Sequence, residues 1–228
     1  MIVLLTVAIA PGLALFSFFY LRNQMKTEPR KTLLQTFIYG AILTFPIMFL
    51  QYVFKEEQVF THPIIQEVFF TGIIEEFFKW LILLLVLFNN VEFDDPYDGV
   101  LYGAAISLGF ATVENIFYLM SYGVHTAFLR AILPVSSHAL FGVVMGYYLG
   151  RAKFDVSSSS IRFKSLALLA PLTLHIVYNL IFISQKHWVY IMIPFMLFLW
   201  WFSLKKVKTA HMALVELIVN KNKDSPYR

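Results

Sequence analysis

Seven stretches of this chain, near residues 2–21, 33–54, 63–88, 99–120, 127–149, 165–184 and 188–204, are almost unbroken runs of apolar side chains. A helix needs about 20 residues to cross a hydrocarbon core of about 30 Å, and each run reaches or nears that length. Inside a bilayer every backbone amide must be bonded internally, so such runs become helices packed side by side. The expected architecture is therefore all-α, a polytopic membrane bundle of about seven transmembrane helices. Composition agrees. Charged residues make up 14% of the 228 residues and the AVILMFWYC set 59%, whereas a soluble domain carries about 25% charged residues. So few charges could not clothe a globule in water, and disorder requires the opposite balance.

Charge order gives the expected orientation. No basic residue precedes the first run, and Arg22, Lys26, Arg30 and Lys31 follow it. It therefore reads as a span with its N-terminus outside rather than as a cleaved leader. Seven crossings then place 89–98, 150–164 and the tail from about 205 in the cytoplasm. The second of these loops carries Arg151, Lys153, Arg162 and Lys164, and the tail carries Lys205, Lys206, Lys208, Lys221, Lys223 and Arg228. Lys55 and Lys186 remain outside, as the positive-inside rule allows. Residues 1–228 are expected to form a single transmembrane domain with a short basic cytoplasmic tail. Within the tail, Ala210–Val219 reads either as a helix on the inner leaflet or as disordered chain. The net charge of +4 sits in these loops, so the partner it implies is the lipid bilayer and not nucleic acid. The absence of cysteine removes disulfides, thiolate catalysis and Cys-ligated metals.

Against this apolar background a few residues stand out. Glu75, Glu76, Lys79, Glu114, His138 and His175 fall inside the runs, with Asn115 and Asn179 beside them. An ionised group at mid-membrane costs about 2.5–3.5 kcal/mol on insertion scales, which makes each a functional candidate. Glu67, nearer a span end, needs only to snorkel. Gly72, Glu75, Glu76 and Lys79 form one helical stripe at i, i+3, i+4 and i+7. The Glu75-to-Lys79 order is the favourable one for an ion pair. At 1.5 Å per residue, Glu114 and Asn179 lie about 8–9 Å, and Glu75, His138 and His175 about 13–18 Å, below the outer ends of their spans. Polar residues from four helices thus reach a common layer. Pro134 and Pro171 each precede a histidine by four residues, where a disrupted turn would widen the bundle. Gly142, Gly146 and Gly150 form a ridge for close helix packing.

Two adjacent carboxylates in a low-dielectric site cannot both ionise cheaply. An ionised glutamate bonded to water is a general base, and once protonated it serves a leaving amine. The N–H groups of His175 and Asn179 suit an oxyanion. Together they describe an amide hydrolase that activates water directly. No H-E-x-x-H, G-x-S-x-G or intramembrane aspartate pair occurs. No cofactor is favoured. A zinc ion remains open, held by Glu76, Glu114, His138 and His175. On composition and spacing alone, a proton- or ion-coupled transporter or sensor using the same cluster is the alternative.

At these residues the chain also resembles a known family. Glu75-Glu76-Phe77-Phe78-Lys79 matches E-E-x-x-K, and Phe110-Ala111-Thr112-Val113-Glu114 matches an F-x-x-x-E region. His138 and His175-x-x-x-Asn179 complete the pattern of the PrsW intramembrane proteases, distant relatives of the CAAX prenyl endopeptidases. The resemblance implies that residues 1–228 are a membrane-embedded protease domain of the bacterial cell membrane. It implies a substrate, a single-pass RsiW-like anti-sigma factor cut first on its extracytoplasmic side, with a site-2 protease acting on the product. By motif, Glu75 would activate water in a setting provided by Glu76 and Lys79. His138 would orient substrate, and His175 and Asn179 would hold the oxyanion. Glu114 stands where the CAAX relatives carry histidine, so its role is left open between water, proton and metal.

Overall fold

Apolar helices in a membrane protein gain little from hiding hydrophobic faces, so close backbone approach and a few polar locks must decide how they pack. The computed structural model describes residues 2–22, 30–62, 64–123, 125, 127–155, 159–184 and 188–223. Lys26, Lys186, Arg228 and part of the Ser157–Ser160 linker lie outside the described residues. The helices are α1 (Ile2–Leu21), α2 (Arg30–Glu56), α3 (Thr71–Ile82), α4 (Pro96–Tyr122), α5 (Ala127–Arg130), α6 (Ser136–Phe154), α7 (Ser160–Ile183) and α8 (Trp188–Lys223). No strand occurs among the described residues.

Six helical segments are long and apolar enough to cross a membrane. The seventh expected span, 63–88, is also helical over residues 64–87, but its winding changes twice. π-helical turns Ile64–Phe70 and Leu83–Leu87 flank α3, and π turns are found mostly at functional positions. A third π segment, Ala131–Val135, contains Pro134 and leads into α6. The widened turn before His138 therefore exists. The turn containing Pro171 stays within the α-helix α7.

Helices α4 and α6 form the centre: 78% of each spanning window is buried, against 17–28% for α1, α2, α7 and α8. Glycines bring the two together. A Cβ on Gly146 would lie 1.8 Å from the carbonyl oxygen of Gly99, and one on Gly142 would lie 2.1 Å from that of Gly103. The expected ridge thus has a matching ridge on α4. On the opposite side of α4, a Cβ on Gly109 would lie 1.9 Å from the Phe37 carbonyl oxygen of α2. Polar locks fix the remaining helices. The Asn115 amide donates to Ala8 O at 2.9 Å, joining α1 to α4, and the Trp80 indole donates to Lys164 O at 2.9 Å, joining α3 to α7.

The acidic loop before α4 has a local reason. Asp95 Oδ1 accepts from the backbone N–H of Tyr97 and of Asp98, while Asp98 Oδ2 accepts from Asp94 N and Asp95 N. With Pro96 in the first turn this is a complete capping box, an arrangement that stabilises a helix start by about 1 kcal/mol.

The last helix runs well past the expected end of its span. Helix α8 continues unbroken to Lys223, and Val207, Ala210 and Leu214 are buried in the core. Apolar residues recurring at 207, 210 and 214 keep one face of the helix on α4 and α6. Basic residues gather at this end of the bundle. Lys206 stands over Tyr147 and Tyr148, Arg151 over Phe163 and Lys164 over Phe88. The exposed Lys55–Glu67 pair, 3.8 Å apart, lies toward the other end.

Candidate active site

The buried residues of α3 are Gly72, Glu75, Glu76 and Lys79. The expected stripe is thus the inward face, while Ile73 and Phe77 are exposed. A helix that turns its charges inward and its apolar side chains outward is arranged for lipid, and the charges must find partners inside the bundle.

They do so across four helices. Lys79 Nζ donates to Glu76 Oε1 at 2.8 Å and lies 3.2 Å from His138 Nδ1 and 3.7 Å from Glu75 Oε2. His175 Nδ1 lies 3.0 Å from the same Glu76 Oε1. His138 Nε2 lies 3.3 Å from Glu114 Oε2 and 3.8 Å from Glu75 Oε2. An ammonium has only donors, so His138 Nδ1 accepts from it and the ring proton sits on Nε2, toward the two carboxylates. Glu76 and Lys79 are fully buried, and Glu75, His138 and His175 nearly so. The Glu114 side chain is 30% exposed, which places it at the rim.

Aromatic rings line the cluster. Lys79 Nζ lies 4.2 Å from the centre of the ring of Phe110, which stands one turn before Glu114. Phe141 stacks on His175 with centroids 5.1 Å apart and planes at 24°. A Cβ on Gly72 would lie 3.8 Å from His175 Cγ, an ordinary contact, so α3 and α7 pack here at a normal side-chain distance.

The spacing favoured Glu75 as the ion-pair partner of Lys79, yet the tight partner is Glu76, three residues before it. Glu75 is turned the other way. Its Oε1 accepts from Gln51 Nε2 of α2 at 3.0 Å. Gln51 carries no charge, so the cost of burying ions does not single it out. Its signal in the sequence is a polar amide inside an apolar run, about one turn from the outer end. Asn179 stands apart from the four-residue centre, its amide reaching Glu67 O at 3.5 Å. Asn115, bonded to α1, is a structural lock.

One ligand atom from each of Glu75, Glu76, His138 and His175 can be chosen so that all lie within 4.8 Å of one another. Imidazole and carboxylate are the ligand types zinc takes. Glu75 Oε2 and Glu76 Oε2 are buried without a hydrogen-bond partner. Three glutamates face one lysine here, so with neutral imidazoles the formal charge is −2, which a divalent cation would balance. The residues fit such an ion. Glu114, expected within the ligand set, reaches the centre through the His138 ring.

A model described as "PrsW family intramembrane metalloprotease" matches residues 28–203. Protease PrsW of Bacillus subtilis (strain 168) is 47% identical over 210 residues, covering 92% of this chain and 96% of that protein. The protein of that name from Geobacillus kaustophilus is 46% identical over 207 residues, 91% of this chain and 92% of the relative. That from Clostridioides difficile is 30% identical over 205 residues, 85% and 86% of the two chains. No solved structure matches significantly. A multi-pass bundle with its charges gathered on an inward stripe, matched over most of its length to proteases, is a membrane peptidase of the bacterial cell membrane, and the chain belongs to the PrsW family of intramembrane proteases.

Proposed function

We propose that this peptidase makes the first, extracytoplasmic cut in a single-pass anti-sigma factor, using Glu75 to activate water. The observation that carries the catalytic part is the unequal setting of two adjacent carboxylates. Glu76 Oε1 is taken by Lys79 and His175. Glu75 Oε2 is buried without a hydrogen-bond partner, 3.7 Å from Lys79 Nζ and 3.8 Å from His138 Nε2. Glu76 also keeps an unpartnered Oε2, but its other oxygen is tied to an ammonium and an imidazole. Glu75 meets only the neutral Gln51 amide within hydrogen-bond distance, which leaves Glu75 the freer of the two to meet water.

Glu76, His138 and His175 would hold a divalent ion, with His138 Nδ1 giving up the Lys79 N–H to take it, and Glu75 would stay outside the set. Three protein ligands with an open position is the pattern of catalytic zinc, which would supply Lewis-acid polarisation of a carbonyl and an acidified water. Glu114, against His138 Nε2, orients that ring, as carboxylates beside ligating histidines do. Glu75 takes the proton from water as the oxygen attacks the scissile carbonyl, then gives it to the departing amine. The Asn179 N–H, one turn beyond His175, serves the oxyanion. Lys79 keeps the buried carboxylates from repelling one another.

The substrate assignment rests on the family resemblance. A tagged single-pass anti-sigma factor co-expressed with the wild-type chain should be shortened. With Glu75→Gln, which keeps shape but cannot take a proton, cleavage should fall by about 10²–10⁴-fold at equal protein level. An intact substrate beside folded wild-type protein refutes the assignment.

A further inference from the structure

Gln51 has two faces. One donates to Glu75 Oε1 at 3.0 Å. The other lines a cavity of about 220 Å³ with Tyr52, Lys55, Gln66, Glu67 and Phe70, between the outer part of α2 and the π-helical turns that precede α3. Among the described residues lining that cavity, Gln51 alone bonds to the buried cluster. The amide is half-buried, where cavity and cluster meet.

We propose that Gln51, which lines this cavity, is a positioning residue that holds Glu75 in its base conformation; the inference rests on the role given above to Glu75. The argument is a competition for one flexible carboxylate. Lys79 Nζ lies 3.7 Å from Glu75 Oε2, just beyond hydrogen-bond contact. In a low-dielectric interior, opposite charges at such a separation attract strongly. Left to itself, Glu75 would close that gap and spend on Lys79 the lone pairs that water requires. Lys79 bonds to Glu76 at 2.8 Å and faces His138 Nδ1 at 3.2 Å, which leaves its third N–H free to receive Glu75. The opposing contact comes from α2, 24 positions away in sequence. The Gln51 amide anchors one oxygen with a charge-assisted bond, the stronger kind. That leaves Oε2 facing the cluster at a distance where a water can be shared with it.

The test uses the purified full chain in proteoliposomes and a fluorescently labelled single-pass anti-sigma factor. Gln51→Met is nearly isosteric and removes the donor. Its kcat should fall about 10–100-fold, the usual cost of losing a residue that orients a catalytic group, with KM within about twofold of wild type. Gln51→Glu keeps the shape but sets a second carboxylate against Glu75, so kcat should fall at least as far. Added to Glu75→Gln, Gln51→Met should cause no further loss, because it acts through Glu75. The thermal unfolding midpoint of Gln51→Met should match wild type. A Gln51→Met enzyme with wild-type kcat overturns the proposal. So does one whose KM rises at constant kcat, or whose loss tracks a lowered unfolding midpoint. A wild-type chain that leaves the substrate uncut refutes the functional reading instead, and this inference with it.

Discussion

His175 Nδ1 and Glu76 Oε1, 99 positions apart in sequence, lie 3.0 Å from each other in the middle of the bundle. This contact ties α7 to α3 at the level of the buried polar cluster. It also leaves Glu76 with an ammonium and an imidazole on one oxygen, an arrangement that makes it the electrostatic keystone of the site. Removing it should cost stability as well as chemistry.

Glu76→Gln strips the fully buried Lys79 of its 2.8 Å carboxylate partner. Breaking a buried ion pair by deleting one partner destabilises by about 3–5 kcal/mol, since the remaining charge is left uncompensated. Thermal unfolding in detergent should show a clear drop for Glu76→Gln and recover in the double variant Glu76→Gln/Lys79→Met, which removes both charges. Equal midpoints for wild type and Glu76→Gln would show that Lys79 is held by other groups.

Packing at the centre is testable by the smallest possible change. On Gly146 an added methyl would lie 1.8 Å from the Gly99 carbonyl oxygen, whereas on Gly72 its nearest neighbour would be 3.6 Å away. Gly146→Ala must push α6 off α4, and overpacking of this kind costs about 1–3 kcal/mol. Gly72→Ala should leave stability unchanged. Detergent unfolding curves of the two variants check the contrast, and a reversed order would contradict the α4–α6 contact.

Much of this site is legible in the sequence because a bilayer penalises charge so heavily. Glu75, Glu76, Lys79, Glu114, His138 and His175 stand out one by one, and the structure gathers them. What the sequence does not reveal is which pairs form. Helix spacing alone favours Glu75 with Lys79, but the choice is made by neighbours from other helices: His175 draws Glu76, and Gln51 draws Glu75. Gln51 itself is a neutral amide, and a search for charges passes over it. The α6 glycine ridge is visible from its spacing; its counterpart at Gly99 and Gly103 becomes meaningful only when α4 is laid against it. The full length of α8 is obscured by Lys205, Lys206 and Lys208, which look like the end of a span. The buried face through Val207, Ala210 and Leu214 carries the helix on.

The metal question has a direct measurement. The family description names a metalloprotease, and the donor set fits a divalent ion. Protein purified without chelator should carry about one zinc per chain by elemental analysis. His175→Ala and Glu76→Gln should lose it. Glu114→Gln should keep it with about 10–100-fold weaker affinity, the usual effect of changing a residue that orients a ligand. Zinc content unaffected by His175→Ala would place any ion elsewhere.

The position of the cut follows from where the cluster lies along its helices. His175 is eight residues from the end of α7 at Ile183 and fifteen from its start, about 12 Å and 22 Å at 1.5 Å per residue. Glu114 is likewise eight residues, about 12 Å, from the end of α4 at Tyr122. The far ends are those where Arg151, Lys164 and Lys206 gather, the end the charge rule assigns to the cytoplasm. Water therefore has the shorter route from outside, and polar groups at such depth require a cavity to line. A helical substrate hides its carbonyls in i to i−4 bonds, so the segment presented to Glu75 must be frayed or extended. Scission is expected in the extracytoplasmic juxtamembrane segment of the substrate or within its first few transmembrane residues. A proline beside the scissile bond should speed cleavage, and an Ala/Leu helix extended outward should protect against it. Mass spectrometry of the released fragments reads the termini. Termini in the cytoplasmic half of the substrate span would contradict both the orientation of the bundle and the assignment of the site.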